Sequence, residues 1–354
     1  MRRVPCSIVG SLLAVLVFLA ATARAEEPAE LVLGREIVFL RPVGGLGAAF
    51  SRFTLAFDLV KRRESEDVTR PVRAYPPLVR AVREYREFVE RRKGAPVPLF
   101  VALGEDLEGT AYCMTQPAIV RAVDGKGRAR TLPVIGPIIH LSKSDLARIR
   151  SSAPDGPAVL CHEIGHAFMV QAHGLLDFPG ESPEHAVQLV SREGHWYTKE
   201  TDPVFAYTEG WAEYTQCRYV GSEPSPRLIR LPAGTDVKAG DQESRLMTAA
   251  EIRRHEGAQA YLLFHLERAL GRHEFYRELL DVMAADRPRT LNGLLRAYAV
   301  RHPDRKEEVD RALQEVSHGA FEVDYSYTRD DLKDETRGSW ERLQEAVRKR
   351  LGGK

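Results

Sequence analysis

The chain has 354 residues, of which 29% are charged and 44% are hydrophobic, and its formal net charge is +1. A net charge so close to zero does not indicate the excess of basic residues that is typical of nucleic-acid-binding proteins. The length is sufficient for a large buried core. We therefore expect a globular protein without a nucleic-acid partner, as one bilobal domain or two closely packed domains.

The first 25 residues have the pattern of a secretory signal peptide. Arg2 and Arg3 precede an apolar run over residues 8–21, and the Ala-Arg-Ala sequence at residues 23–25 suits cleavage. The run has about 14 residues, fewer than the roughly 20 needed to span a bilayer, so an uncleaved anchor is the less favoured alternative. Residues 1–25 are predicted to be removed. The mature protein would be exported, periplasmic or extracellular, with no stable insertion into the membrane.

Cleavage would also change the charge and the cysteine content. It removes three arginines and no acidic residue, so the net charge changes from +1 to −2. It removes Cys6 as well, and the remaining Cys113, Cys161 and Cys217 permit at most one intramolecular disulfide. The sequence does not decide which pair would form it.

The strands of the protein are expected before residue 143. Residues 26–75 are the hardest part to interpret, with an extended apolar run at 35–41 and a charged stretch at 61–70. Apolar residues at a spacing of three and four then predict a helix over residues 77–92, which Gly94 would end. Short strands are predicted at residues 98–103, 111–123, 128–134 and 138–142, with a hairpin turn at 124–127.

Helices are expected to form most of the remaining chain. Asp155 can cap the first of them, Pro157 suits its first turn, and Gly174 would stop it. Asp202 opens a second helix, which ends at Gly221. Further helices are predicted to open at residues 182–184 and to cover residues 248–270, 273–284, 291–300, 305–316 and 339–351.

These elements predict an α+β fold with two lobes. Residues 26–176 would form a strand-containing N-terminal lobe, with a small mixed sheet and the helix that ends at Gly174. Residues 177–354 would form a mostly helical C-terminal lobe, and the boundary would lie near residues 174–180.

The most informative segment is His162-Glu163-Ile164-Gly165-His166. Two histidines four residues apart lie one turn apart on the same face of a helix, where both imidazoles can bind one zinc ion. The intervening Glu163 is then placed to act as a general base. An ordinary buried helix with polar residues on its wet side is the alternative interpretation of this pattern.

A second segment, Tyr-Thr-Glu-Gly-Trp-Ala-Glu-Tyr at residues 207–214, supplies carboxylates. Catalytic zinc usually has three protein ligands and one open position, and Glu209 can be the third ligand. Glu213, one turn later, can accept a hydrogen bond from a ligand imidazole, although a surface role is the alternative. The 42 residues between His166 and Glu209 allow the two helices to pack side by side. The other possible third ligands are Asp177, His185 and His195.

The two segments, HEIGH at 162–166 and EGWAE at 209–213, resemble the markers of the gluzincin metallopeptidases. The resemblance covers about 60 of the 354 residues. It implies a zincin-like fold and one Zn²⁺ bound by His162, His166 and Glu209, with Glu163 as the catalytic base. The chain has no Gly-x-Met-Glu-Asn segment, which aminopeptidase members use to hold a substrate's free amine, so the resemblance does not imply aminopeptidase activity.

Zincins commonly add a tyrosine or histidine donor that stabilises the oxyanion. Tyr207, His255, Tyr261 and His265 are the candidates, and a structural role is the favoured alternative for each because none has a diagnostic spacing. Zincins also use an edge strand to pair with extended peptide, and the strand predicted at 138–142 precedes the active helix. A buried strand is the equal alternative.

The sequence therefore predicts an exported zinc metallopeptidase that acts on a peptide or protein substrate. Two other classes stay open: a zinc hydrolase with a non-peptide substrate, and a non-catalytic exported binding protein on the same scaffold. The oligomeric state, the cleavage specificity and the role of residues 26–75 are not encoded in any recognisable pattern.

Overall fold

The computed structural model describes residues 36–43, 55–60, 65–95, 97–105, 107, 109–123, 129–151, 153, 155–174, 183–184, 187, 200–224, 230–232 and 244–352. The predicted signal peptide, the turn at 124–127 and the alternative ligands Asp177, His185 and His195 lie outside these residues.

Five strands close into a barrel in the order β1, β2, β4, β5, β3. They are β1 (Ile37–Pro42), β2 (Leu55–Leu59), β3 (Leu99–Leu103), β4 (Tyr112–Val123) and β5 (Ala129–Leu141). The pairs β1/β2 and β4/β5 are antiparallel, and the other three pairs are parallel. The prediction of separate strands at 128–134 and 138–142 is wrong, because β5 pairs with β4 without interruption from Ala129 to His140.

Helices make up most of the remaining described chain. They are α1 (Glu66–Arg73), α2 (Pro76–Lys93), α3 (Lys143–Arg150), α4 (Ala158–His173), α5 (Pro203–Val220), α6 (Ala249–Arg253), α7 (Glu256–Ala269), α8 (Phe275–Asp286), α9 (Leu291–Arg301), α10 (Lys306–Val316) and α11 (Arg329–Gly352). A short antiparallel pair, β6 (Arg230–Pro232) and β7 (Ser244–Leu246), precedes α6. Among the described helices, none is both long and apolar enough to cross a bilayer.

The helices differ from the predictions in four places. The helix predicted at 248–270 is divided into α6 and α7, because the backbone leaves the helical conformation at Arg254 and His255. The tail helix begins at Arg329, before the predicted start at residue 339. Helices α1 and α3 were not predicted, although Ser142 and Asp145 form a capping box at the start of α3, which is a recognisable sequence signal.

Helix α4 lies at the centre of the molecule. It packs against α2, α5 and α8 and against the outer face of β5. Nearly all of its residues are buried, which fits a helix that is surrounded by other elements instead of facing solvent along one side. One hydrophobic cluster contains Val68 and Leu141 from the predicted N-terminal lobe and Leu279 and Leu313 from the predicted C-terminal lobe. The division into lobes at residues 174–180 stays a prediction.

His140 is an unusual residue in the otherwise apolar interior of the barrel. It shares this face of β5 with Ile138 and stacks on the ring of Tyr112, with 4.7 Å between centroids. It is completely buried, and neither of its ring nitrogens has a hydrogen-bond partner among the described residues. Burial lowers the pKa of His140 to about 4.

This histidine should make the protein less stable in acid. Between pH 6.5 and pH 4 the unfolded chain binds a proton at His140 that the folded chain excludes, so the free energy of unfolding falls as the pH falls through this window. Between pH 7 and pH 4.5 the loss attributable to His140 is about 2 kcal/mol. Urea unfolding of the wild type and of His140→Leu at both pH values measures it. Equal losses for the two proteins would show that His140 is not responsible.

Candidate metal centre

The ends of α4 fix the position of the HEIGH segment. The helix begins at Ala158, with Pro157 at the capping position, and ends at Gly174 as predicted. The prediction that Asp155 caps the helix is wrong. Its carboxylate pairs with Arg148 at 2.7 Å, and only its backbone carbonyl accepts a hydrogen bond from the Ala158 N–H.

The ends of α5 lie where the sequence predicts them. The Asp202 carboxylate accepts hydrogen bonds from the N–H groups of Val204 and Phe205 at 2.9 and 2.8 Å, which satisfies two donors of the first turn. Gly221 ends the helix in the left-handed region, with φ of 80°. These ends place Glu209 in the second turn of α5.

Helices α4 and α5 approach each other very closely at Gly165. A Cβ atom at this position would lie 2.7 Å from the Cα of Ala212 and 3.0 Å from the Cβ of Thr215. Only glycine allows this approach, because the nearest obstacle is backbone that cannot move aside. The short distance between the helix axes brings side chains on their flanks within reach of each other.

Three of the predicted ligands meet beside this contact. The Glu209 Oε2 atom lies 3.4 Å from Nε2 of His162 and 3.4 Å from Nε2 of His166. The three ligand atoms all lie within 4.8 Å of one another. Tetrahedral zinc with bonds of about 2.1 Å has donor atoms about 3.4 Å apart, so the two imidazoles and the carboxylate suit the ion in chemistry, and both distances from the carboxylate match its spacing.

Glu213 lies on the other side of the His162 ring. Its Oε2 is 3.6 Å from Nδ1 of His162, an ion-pair distance longer than an ordinary hydrogen bond. Burial favours the neutral form of both groups. The carboxylates of Glu209 and Glu213 nevertheless outweigh it for His162 and hold the imidazole pKa well above 6.5, and His162 in turn lowers the pKa of Glu213. In the metal-free protein a proton is therefore stabilised where a divalent cation would sit.

Glu163 is buried next to the three ligands. Burial raises the pKa of its carboxyl group, and the imidazoles of His162 and His166 only partly oppose this rise. No described residue forms a hydrogen bond with its Oε2 atom. Its charge also acts on Cys113 at the start of β4, where burial and then Glu163 raise the thiol pKa. The Glu163 carboxyl group is therefore near enough to Cys113 for its charge to affect the thiol.

The predicted oxyanion donors lie on α5 and α7. Tyr207 is fully buried in the core and, at 100° per residue, projects from α5 about 160° away from Glu209. His255 is buried at the start of α7. The Tyr261 and His265 rings lie 4.1 Å apart, and Nε2 of His265 is 2.8 Å from the Glu223 carboxylate. The oxyanion-stabilising role of Tyr207, His255, Tyr261 and His265 stays a prediction.

The predicted edge strand is internal. Residues 138–141 of β5 pair with β3 on one side and, through residues 112–114, with β4 on the other, so the alternative of a buried strand is confirmed. Residues 113–117 of β4 pair with β5, and within the described residues β4 pairs with β2 from Ala118 to Arg121. Among the described strands, none pairs with residues 113–117 on the side away from β5.

Cys113, Cys161 and Cys217 are free thiols, which answers the question of disulfide pairing among them.

Comparisons of the chain with models of known families, with curated proteins and with solved structures found no match. The likeness to gluzincins therefore rests on the two short segments alone.

Proposed function

We propose that the protein is a zinc-dependent hydrolase that cleaves peptide bonds. The observation that carries this proposal is the convergence of His162, His166 and Glu209 from two separate helices, with the Glu209 carboxylate 3.4 Å from both imidazoles and all three ligand atoms within 4.8 Å of one another. Three protein ligands leave one coordination position for water or substrate. A structural zinc site would need a fourth protein ligand, and no fourth histidine, cysteine or carboxylate joins the group among the described residues.

Zinc bound by these residues would acidify water and polarise the substrate carbonyl group. Glu163 supplies the proton transfers. Its carboxylate removes a proton from the attacking water as the new C–O bond forms, and it then delivers that proton to the departing amine as the C–N bond breaks. The raised pKa of Glu163 suits both steps, because a group that must accept and release a proton works best when its pKa is near the operating pH.

A peptide substrate is favoured over a small molecule by strand β4. Among the described residues, no strand pairs with 113–117 on the side that faces away from β5, and an extended chain that paired there would be bound through its backbone. Cys113 lies on this segment, and helix α4, which carries Glu163, packs against β4. Burial and the charge of Glu163 raise the pKa of the Cys113 thiol, which supports a position of this segment near the proposed base. A substrate bound in this way would lie across the ligand helix with its backbone held in register. This assignment replaces the expectation for residues 138–142.

The zinc content and activity of the mature chain, residues 26–354, test the proposal. We expect one zinc per chain and cleavage of casein or of a quenched fluorescent peptide library. Glu209→Ala should weaken zinc binding by about 10-fold to 100-fold or more and should abolish cleavage, because one of three ligands is lost. Glu307→Ala, an exposed change on α10, is the matched control.

Two results would contradict the proposal. The first is a wild-type chain that retains no zinc after dialysis against micromolar zinc, and the second is Glu209→Ala with unchanged zinc affinity. Zinc binding without cleavage of any peptide, combined with hydrolysis of ester or amide model compounds, would favour the non-peptide hydrolase instead.

A further inference from the structure

Trp211 contacts α4 on the flank of the helix contact opposite to the carboxylates. Its indole is fully buried, and the Nε1–H donates a hydrogen bond to the backbone carbonyl of Gly165 at 3.2 Å. At 100° per residue, Glu209 and Trp211 project about 160° apart from α5, and Ala212 lies between them where the helices touch. The backbone of α4 is therefore held between a carboxylate on one flank and an indole on the other.

The position of the indole ring is also fixed by its contact with α8. Its ring stacks on Tyr276 of α8, with centroids 4.9 Å apart and an interplanar angle of 16°. The guanidinium of Arg218 lies 4.3 Å from the centre of the Tyr276 ring. Arg218 is held by ion pairs to Glu84 of α2 at 3.1 Å and to Glu267 of α7 at 3.0 Å. Four helices thus determine where the indole N–H points.

The hydrogen bond to the Gly165 carbonyl lies next to one of the proposed metal ligands, because Gly165 directly precedes His166. A rotation of α4 by about 10° would move an imidazole nitrogen, roughly 6 Å from the helix axis, by about 1 Å. Metal–ligand distances tolerate about 0.2 Å. A contact that prevents such a rotation therefore affects whether the three donors can bind the same ion.

We propose that Trp211 is a positioning residue for the metal centre. Its N–H···O=C bond to Gly165 sets the rotation of α4 relative to α5 and so sets the separation between the imidazoles and the Glu209 carboxylate. The proposal rests on the proposed function in one respect, that the three ligands bind a metal ion. It assigns to Trp211 a role beyond filling the core.

A single-atom change tests this role. β-(3-Benzothienyl)alanine introduced at position 211 keeps the shape of the indole but has sulfur in place of the N–H group. We expect the zinc dissociation constant, measured by competition with a chelator, to rise by about 10-fold to 100-fold. The visible spectrum of the cobalt-substituted protein should also change in band position and intensity, because it reports ligand geometry.

Two controls separate positioning from stability. The same analogue at the exposed Trp340 should leave zinc affinity and the cobalt spectrum unchanged. Leu294→Ala, in the buried core of α9, should lower the melting temperature of the metal-free protein but leave both metal readouts unchanged.

An analogue at position 211 that leaves both the zinc affinity and the cobalt spectrum as in the wild type would overturn the proposal, and Trp211 would then be a packing residue. A wild-type chain that binds neither zinc nor cobalt would overturn the metal centre itself. The two failures are distinguished by the wild-type titration.

Discussion

Replacing Glu163 with glutamine is expected to slow peptide cleavage by about 10²-fold to 10⁴-fold while the zinc content stays at the wild-type value. Glutamine has nearly the same size and shape as glutamate, but its amide cannot accept the proton of the attacking water. Glu163 does not belong to the group His162, His166 and Glu209, so the donors for the ion remain complete. Initial rates on a fluorescent peptide and the zinc content of the same samples measure the effect.

The matched control is Glu274→Gln, which makes the same chemical change at an exposed position before α8. It should behave as the wild type in both measurements. Glu163→Asp provides a second comparison, because it keeps the carboxylate but withdraws it by one methylene. We expect its rate to lie between those of the wild type and of Glu163→Gln. Glu163→Gln that cleaves peptide at the wild-type rate would show that another group is the base.

The proposed metal ligands could be predicted from the sequence because residues spaced by one helical turn point in the same direction. His162 and His166 are four residues apart and therefore share a face, and the same rule places Glu209 and Glu213 together on α5. The capping residue Asp202 and the left-handed Gly221 fixed the ends of α5 for local reasons that the sequence also shows. No local rule brings together His166 and Glu209, which are 43 positions apart, so the meeting of the two helices was expected from the three ligands that catalytic zinc needs and from the resemblance.

The closed barrel could not be predicted in the same way. Alternation and turn residues indicate strands, but the order β1, β2, β4, β5, β3 joins segments that are distant along the chain. Continuous pairing with β4 keeps Gly136 and Pro137 inside β5, although such residues usually end a strand. Long-range pairing outweighed local preference, and it also made residues 138–141 internal.

Tyr207 and Trp211 illustrate the limit for aromatic residues. Both are near Glu209 in sequence and both are fully buried, so composition alone does not separate a core residue from one that acts on the site. The two side chains are one helical turn apart and project from nearly the same face of α5, so the structure separates them by their contacts. The indole N–H of Trp211 donates a hydrogen bond to the carbonyl of Gly165 on α4, whereas the Tyr207 hydroxyl has no hydrogen-bond partner among the described residues. Helical spacing alone gives both residues the same orientation, and only the packing shows which of them contacts the helix that carries the two histidines.

Glycine at position 165 is expected to be indispensable, so Gly165→Ala should lower both stability and zinc affinity. In an ordinary helix this change stabilises by about 1 kcal/mol, because alanine restricts the unfolded chain. Here the added methyl group would lie 2.7 Å from the Cα of Ala212, so α4 and α5 must separate. Overpacking of this kind costs about 1 to 3 kcal/mol or more, which reverses the sign of the effect. Separation also moves Glu209 away from His162 and His166, and zinc affinity should fall by at least about 10-fold.

Gly338→Ala on the exposed part of α11 is the matched substitution, because the nearest atom to its added methyl group is the end of the Arg342 side chain at 3.8 Å. It should raise the melting temperature slightly and leave zinc binding unchanged, as helix propensity alone predicts. Thermal unfolding of the metal-free proteins and zinc titration of each compare the two variants directly. A Gly165→Ala protein that is as stable as Gly338→Ala and binds zinc as tightly would mean that the two ligand helices do not pack at this distance. The 3.4 Å separations on which the metal centre depends would then lose their basis, since the close approach at Gly165 is what brings the Glu209 carboxylate within reach of both imidazoles.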